Sequence, residues 1–151
     1  MITINPLCEA TENAALARRI ESLDASTAPK WGKMTATQML AHCQAPFRVA
    51  SGQLQLKRAF IGRLFGKMAK RKYVNSNAPF GRNSPTDPRF LFLGAHDFEG
   101  EQSELVGLLK GFGETGVVTR DPHPFFGPMT GEEWDRLLWK HLDHHLRQFG
   151  V

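Results

Sequence analysis

No apolar run of this 151-residue chain approaches the roughly 20 residues that a bilayer-spanning helix needs, so no transmembrane segment is expected. The opening stretch, MITINPLCEATENAALARR, lacks a basic start followed by an apolar core, and no signal peptide is expected from it. Cysteine is scarce. Cys8 and Cys43 form neither a C-x-x-C pair nor a disulfide framework, which points to a reducing, cytoplasmic home. Acidic residues are missing altogether between Asp24 and Asp87. Lys57, Arg58, Arg63, Lys67, Lys70, Arg71 and Lys72 all fall in that gap, so the net charge of +4 is unevenly spread. A patch of that kind suits nucleic acid, an anionic membrane surface or an acidic ligand; the plainer reading is a solvated helix face. Internal repeats and low-complexity tracts are lacking too, and only Val117–Thr119 hints at a strand.

What is present reads as one domain over residues 1–151. Hydrophobic residues make up 41% and charged residues 23%, ordinary for a globular chain that buries its own core. The spacing of Leu16, Ile20 and Leu23 predicts a helix from about Glu12 to Leu23, with Thr11 or Asn13 as its cap. Thr35 and Gln38 fit a capping box at the start of a second helix, in which Met39, Cys43, Phe47 and Ala50 supply the apolar face. Pro46 is expected to bend or break it. In the basic segment, Leu56, Phe60, Leu64 and Met68 sit four apart, while Gly62 and Gly66 weaken a helical reading. Residues 74–89 read as a long loop. A third main helix is expected from Asp97, as cap, to about Lys110, followed by a Gly/Pro-rich connector. Thr130 and Glu133 form a second capping box for a last helix that stops at Gly150. The expected class is all-α, a four-helix bundle with an extra basic segment.

Three histidines crowd the last helix, and its geometry sorts them. With Trp134 at zero and 100° per residue, Leu137 lies at about 300°, Leu138 at about 40°, His141 at about 340° and His145 at about 20°. Both imidazoles therefore sit in the middle of the apolar stripe, where polar groups need partners. His144, at about 280°, lies at the margin, and Asp143, at about 180°, should face solvent. An i, i+4 histidine pair on one face can converge on a metal ion; it is also what a core histidine bonded to a carbonyl looks like. His42, on the second helix, is the natural third ligand; taken alone it reads as a boundary histidine. Cys43 points about 100° away from it and reads as a core thiol. His123, stiffened between two prolines, can line a pocket or orient a ligand residue, or simply pack its loop. His96 precedes the third helix and reads as structural.

The segments KWGKMTATQMLAHCQ and HPFFGPMTGEEWDRLLWKHLDHHLRQFG resemble the DUF1569 family, within the DinB/YfiT-like superfamily of metalloenzymes. The resemblance implies a four-helix bundle in which three histidines hold a metal, zinc or nickel. One comes from the second helix and two from the fourth at H-x-x-x-H spacing; the matching positions are His42, His141 and His145. It also implies transfer chemistry on a low-molecular-weight thiol in some relatives, and a tendency to homodimers. Three neutral ligands leave a divalent ion its charge and an open position for water or thiol, so the leading expectation is a metal-dependent hydrolase or thiol transferase acting on a small molecule. His123 and His144 are the pocket candidates beside it. Two rivals remain at this point. One is a non-catalytic binding module that docks nucleic acid or an anionic membrane through Lys57–Lys72. The other is a metal-free bundle whose histidines are satisfied by hydrogen bonds.

Overall fold

The computed structural model describes residues 7–91, 97–116 and 118–151. Among these residues there are five α-helices, one short 3-10 turn and no strand: α1 (Ala10–Glu21), α2 (Ala36–Ala50), α3 (Phe60–Tyr73), the turn Pro88–Phe90, α4 (Phe98–Thr115) and α5 (Gly131–Gln148). The class is all-α, as expected. None of the described helices is long and apolar enough to cross a membrane.

Local sequence sets most of the helix starts. The Thr35 hydroxyl accepts from the Gln38 N–H at 3.1 Å, and the Gln38 side chain accepts from the Thr35 N–H at 3.0 Å. The same reciprocal box joins Thr130 and Glu133. Each satisfies backbone donors that a helix leaves open at its first turn. Asp97 caps α4 by accepting from the Gly100 N–H at 2.8 Å. α1 differs from expectation. It begins at Ala10 after Glu9, which makes no side-chain cap bond. Asn13 is buried instead, and its amide donates to the carbonyls of Leu7 and Leu109 at 2.9 Å each, tying α1 to α4.

Helices α1 and α2 each pack against both α4 and α5. Between them lie Leu16, Ile20, Met39, Leu40, Leu105, Leu109, Trp134, Leu138 and Leu142, all buried. Each such side chain contributes about 1.5–3 kcal/mol by leaving water. That term outweighs several local signals against helix. α2 runs without a break through Pro46, although proline has no N–H to offer the carbonyl of His42 four residues earlier. α4 continues past Lys110 through Gly111 and Gly113, because Leu109 and Phe112 remain anchored in the core. It stops at Gly116, whose φ of +57° favours glycine.

The basic segment forms a complete helix, α3, and its two glycines are its packing face. Gly62 and Gly66 are the buried positions of α3. An added Cβ would lie 2.6 Å (Gly62) or 2.2 Å (Gly66) from the Phe125 carbonyl oxygen. The glycines thus let the helix axis approach the 122–128 loop more closely than any other residue allows. Asp143 also departs from expectation. It is buried and pairs with Arg19 at 2.8 Å and Arg147 at 2.9 Å, because α1 covers the back of α5. Val117 and His96 lie outside the described residues. Beside Val117, the Thr119 N–H donates to the Ala50 carbonyl at 2.7 Å, so this connector is fastened to the end of α2.

Candidate metal centre

Two helices bring three imidazoles to one point. His42 stands in the middle of α2, and His141 and His145 stand one turn apart on α5, which packs against α2. The His42 Nε2 lies 3.1 Å from His141 Nε2 and 3.2 Å from His145 Nε2. Ligand atoms of all three fall within 4.8 Å of one another, close enough to hold a metal ion. His42 and His145 are buried, and His141 keeps partial exposure.

The outer nitrogens decide which protons are available at that point. His42 Nδ1 is 2.9 Å from the Phe90 carbonyl, an acceptor only, so Nδ1 carries the proton and donates. His145 Nδ1 is 2.7 Å from Gln148 Oε1. The Gln148 amide is itself oriented, because its Nε2 donates to the Trp31 carbonyl at 2.8 Å. His145 Nδ1 therefore also donates. In their neutral forms, both rings turn a bare Nε2 lone pair towards the other, 3.2 Å apart. Only the tautomer of His141 is left open, so at most one proton serves three converging nitrogens. A cation between them removes that conflict. An ion about 2.0–2.1 Å from each imidazole nitrogen holds neighbouring nitrogens roughly 2.9–3.4 Å apart, the range the two measured separations fall in.

The environment keeps these rings neutral. Burial pushes His145 down to about 3, with the neighbouring His42 adding to the shift. Burial, then the charges of His145 and His42, holds His141 well below the ordinary imidazole value. His42 is lowered by burial, partly offset by its bond to Phe90. Neutral imidazole is the form that ligates a metal.

The surroundings are aromatic. Phe80 sits edge-on to His141 and His144, with ring centres 6.5 and 5.9 Å away. Its loop is held by Lys140, whose ammonium donates to the carbonyls of Tyr73, Ser76 and Ala78. His144 packs on His145 at 5.1 Å and on Trp31 at 5.7 Å, so it borders the cluster and joins the Trp31 and Phe80 loops to it. Arg82 lies over the Trp31 ring at 4.4 Å. His123 is elsewhere in its contacts. Its Nδ1 accepts from the backbone N–H groups of Phe125 and Phe126 at 3.0 and 3.1 Å, and its ring rests against Trp134. It orders the loop before α5, makes its hydrogen bonds and ring contacts outside the three, and reaches His141 only through a minor charge interaction. Cys43 is fully buried against Met39, its thiol pushed up by burial, consistent with a core role.

Sequence reasoning missed Gln148. Its signal was available: at about 320° on the same wheel, it is a polar residue inside the apolar stripe, three residues beyond His145. It also missed Gly32, whose φ is +82° and whose Cβ position lies 2.6 Å from the Gln148 amide nitrogen. The bare glycine there lets the backbone turn and present the Trp31 carbonyl to Gln148.

The family model described as a protein of unknown function (DUF1569) matches residues 8–150, and the chain belongs to that family. No curated protein and no solved structure matches it.

Proposed function

We propose that this DUF1569 chain is a metal-dependent enzyme whose ion is held by His42, His141 and His145, and that it acts as a hydrolase or thiol transferase on a small molecule. The observation that carries the reading is the pair of lone pairs on His42 and His145 Nε2, 3.2 Å apart, with both outer nitrogens already committed as donors. The metal-free alternative has too few protons to satisfy that arrangement, and burying unpaired polar atoms costs about 1–3 kcal/mol each. Within this reading the chain is a single DinB/YfiT-like four-helix bundle, with α1, α2, α4 and α5 as the bundle and α3 appended, working in the cytoplasm. Zinc and nickel, the ions of this reading, are among those that imidazole donors suit.

The residues divide the work. His42, His141 and His145 supply three neutral donors from two helices. The Phe90 carbonyl and Gln148 fix the ring orientation of two of them, as outer hydrogen bonds do for metal-ligating histidines. Phe80 and Trp31 limit water near the cluster. When bound, the ion supplies a Lewis acid with an open coordination position, lowering the pKa of a water or a thiol there.

The test uses the chain loaded with zinc or nickel and a panel of activated esters and electrophiles, with and without low-molecular-weight thiols. Turnover that vanishes on chelation and in His141→Ala, and returns when metal is restored to the native chain, is the expected result. A fully loaded protein with no metal-dependent turnover on either class would overturn the enzymatic reading and leave the ion structural.

A further inference from the structure

α3 is amphipathic the wrong way round for a helix that packs on its own protein. Phe60, Ile61, Leu64, Phe65 and Met68 are 50–74% exposed, while the residues it buries are two glycines. On a helical wheel with Phe60 at zero, the five apolar side chains span about 0–140°, and Gly62 and Gly66 lie at about 200° and 240°. The apolar arc therefore points away from the body of the molecule. The glycines hold the helix against the 122–128 loop by backbone contact, and the Ala59 N–H donates to the Pro124 carbonyl at 2.9 Å just before it. The face is fixed in place, not merely left over.

Charge narrows what can cover it. Arg63 and Lys67, at about 300° and 340°, run along one margin of the arc, with Arg71 and Lys72 beside its far end, all exposed. No acidic residue occurs in residues 25–86. A second copy meeting this face about a two-fold axis would bring like charges together. Duplex nucleic acid would accept the cations but offers no surface in which five large apolar groups can leave water. The interface of an anionic bilayer accepts both at once: apolar side chains enter to the acyl boundary, and Lys and Arg meet the headgroups. We propose that α3 is a membrane-surface helix, which docks this protein on anionic lipid by its Phe60–Met68 face. The inference is independent of the metal site.

The experiment is co-sedimentation of the full chain with vesicles of phosphatidylcholine, with and without phosphatidylserine. Binding is expected only with phosphatidylserine, weakening as salt rises. The pair Arg63→Gln and Lys67→Gln should weaken it about 30-fold, roughly fivefold for each cation. Leu64→Gln should weaken it about tenfold or more while leaving helix content and Tm unchanged, because Leu64 contributes nothing to the core. Phe60→Trp should show a blue shift of its emission on the anionic vesicles. Three results would overturn the proposal: no phosphatidylserine-dependent binding at low salt, vesicle binding that Leu64→Gln leaves intact, or a dimer in solution that Leu64→Gln dissociates. Salt-sensitive binding to DNA without vesicle binding would do the same and assign the face to nucleic acid.

Discussion

Alanine in place of Gly66 and alanine in place of Gly107 are one chemical change made in two helices, with opposite expected signs. Gly107 and its neighbour one turn on, Gly111, are exposed on α4, and a Cβ there meets nothing within 4 Å. Gly107→Ala should therefore gain the ordinary helix-propensity difference, about 0.5–1 kcal/mol. Gly66→Ala gains the same term but places a methyl 2.2 Å from the Phe125 carbonyl oxygen. The obstacle is backbone, so no side chain can swing aside, and the helix or the loop must retreat by ~1 Å to restore normal contact. Overpacking of this kind costs about 1–3 kcal/mol. Because the propensity term is common to both, the difference between the two variants isolates the steric term, and a value near the top of that range is expected. Urea unfolding monitored by circular dichroism gives each ΔG, and hydrogen exchange of α3 amides shows whether the loss is local to that helix. If Gly66→Ala stabilised the protein as much as Gly107→Ala does, α3 would not be seated on its glycines, and the outward direction of its apolar face would lose its basis.

Gln148→Leu removes the acceptor that fixes the His145 ring while keeping the volume of the side chain. Zinc affinity should fall about 10–100-fold, read by competition with a chromophoric chelator, with helix content retained; unchanged affinity would mean that the ring needs no outer partner. His123 supplies a pH signature. Burial and the nearby Arg58 hold it down to about 4, against about 6.5 in an unfolded chain. As pH falls, the unfolded chain takes up this proton first, so the contribution of His123 to stability is complete above about pH 6.5 and is lost on the way down to about 4. The loss amounts to about 3 kcal/mol at 1.4 kcal/mol per pH unit. In chelator-treated protein, His123→Gln should flatten the slope of stability against pH over that window. An unaltered slope would show that the titration belongs to other groups.

The parts of the fold written locally were legible in advance. Thr35 with Gln38, Thr130 with Glu133 and Asp97 all cap the helices they were expected to cap, since a capping box needs only residues within one turn. His141 and His145 were placed inward by periodicity, and they do meet His42. What failed depended on distant neighbours. The wheel put Asp143 on the solvent side of α5, but a single helix does not reveal how many others surround it; here α1 supplies Arg19 to the face that looked free. Gly62 and Gly66 looked like breakers because their partner, the Phe125 backbone, is about sixty residues away in the chain. Gln148 hid in plain view, since nothing in its spacing says that its amide links His145 to the Trp31 carbonyl.

The central claim is that three imidazoles from α2 and α5 share one cation. Elemental analysis of the chain, purified without a histidine tag and exposed to excess zinc and nickel before exhaustive dialysis, tests it most directly. The account predicts close to one equivalent of divalent metal per chain, lost in His42→Ala and in His141→Ala while circular dichroism remains that of the native helices. A native, folded chain that retains no metal, or variants that keep the full equivalent, would contradict it.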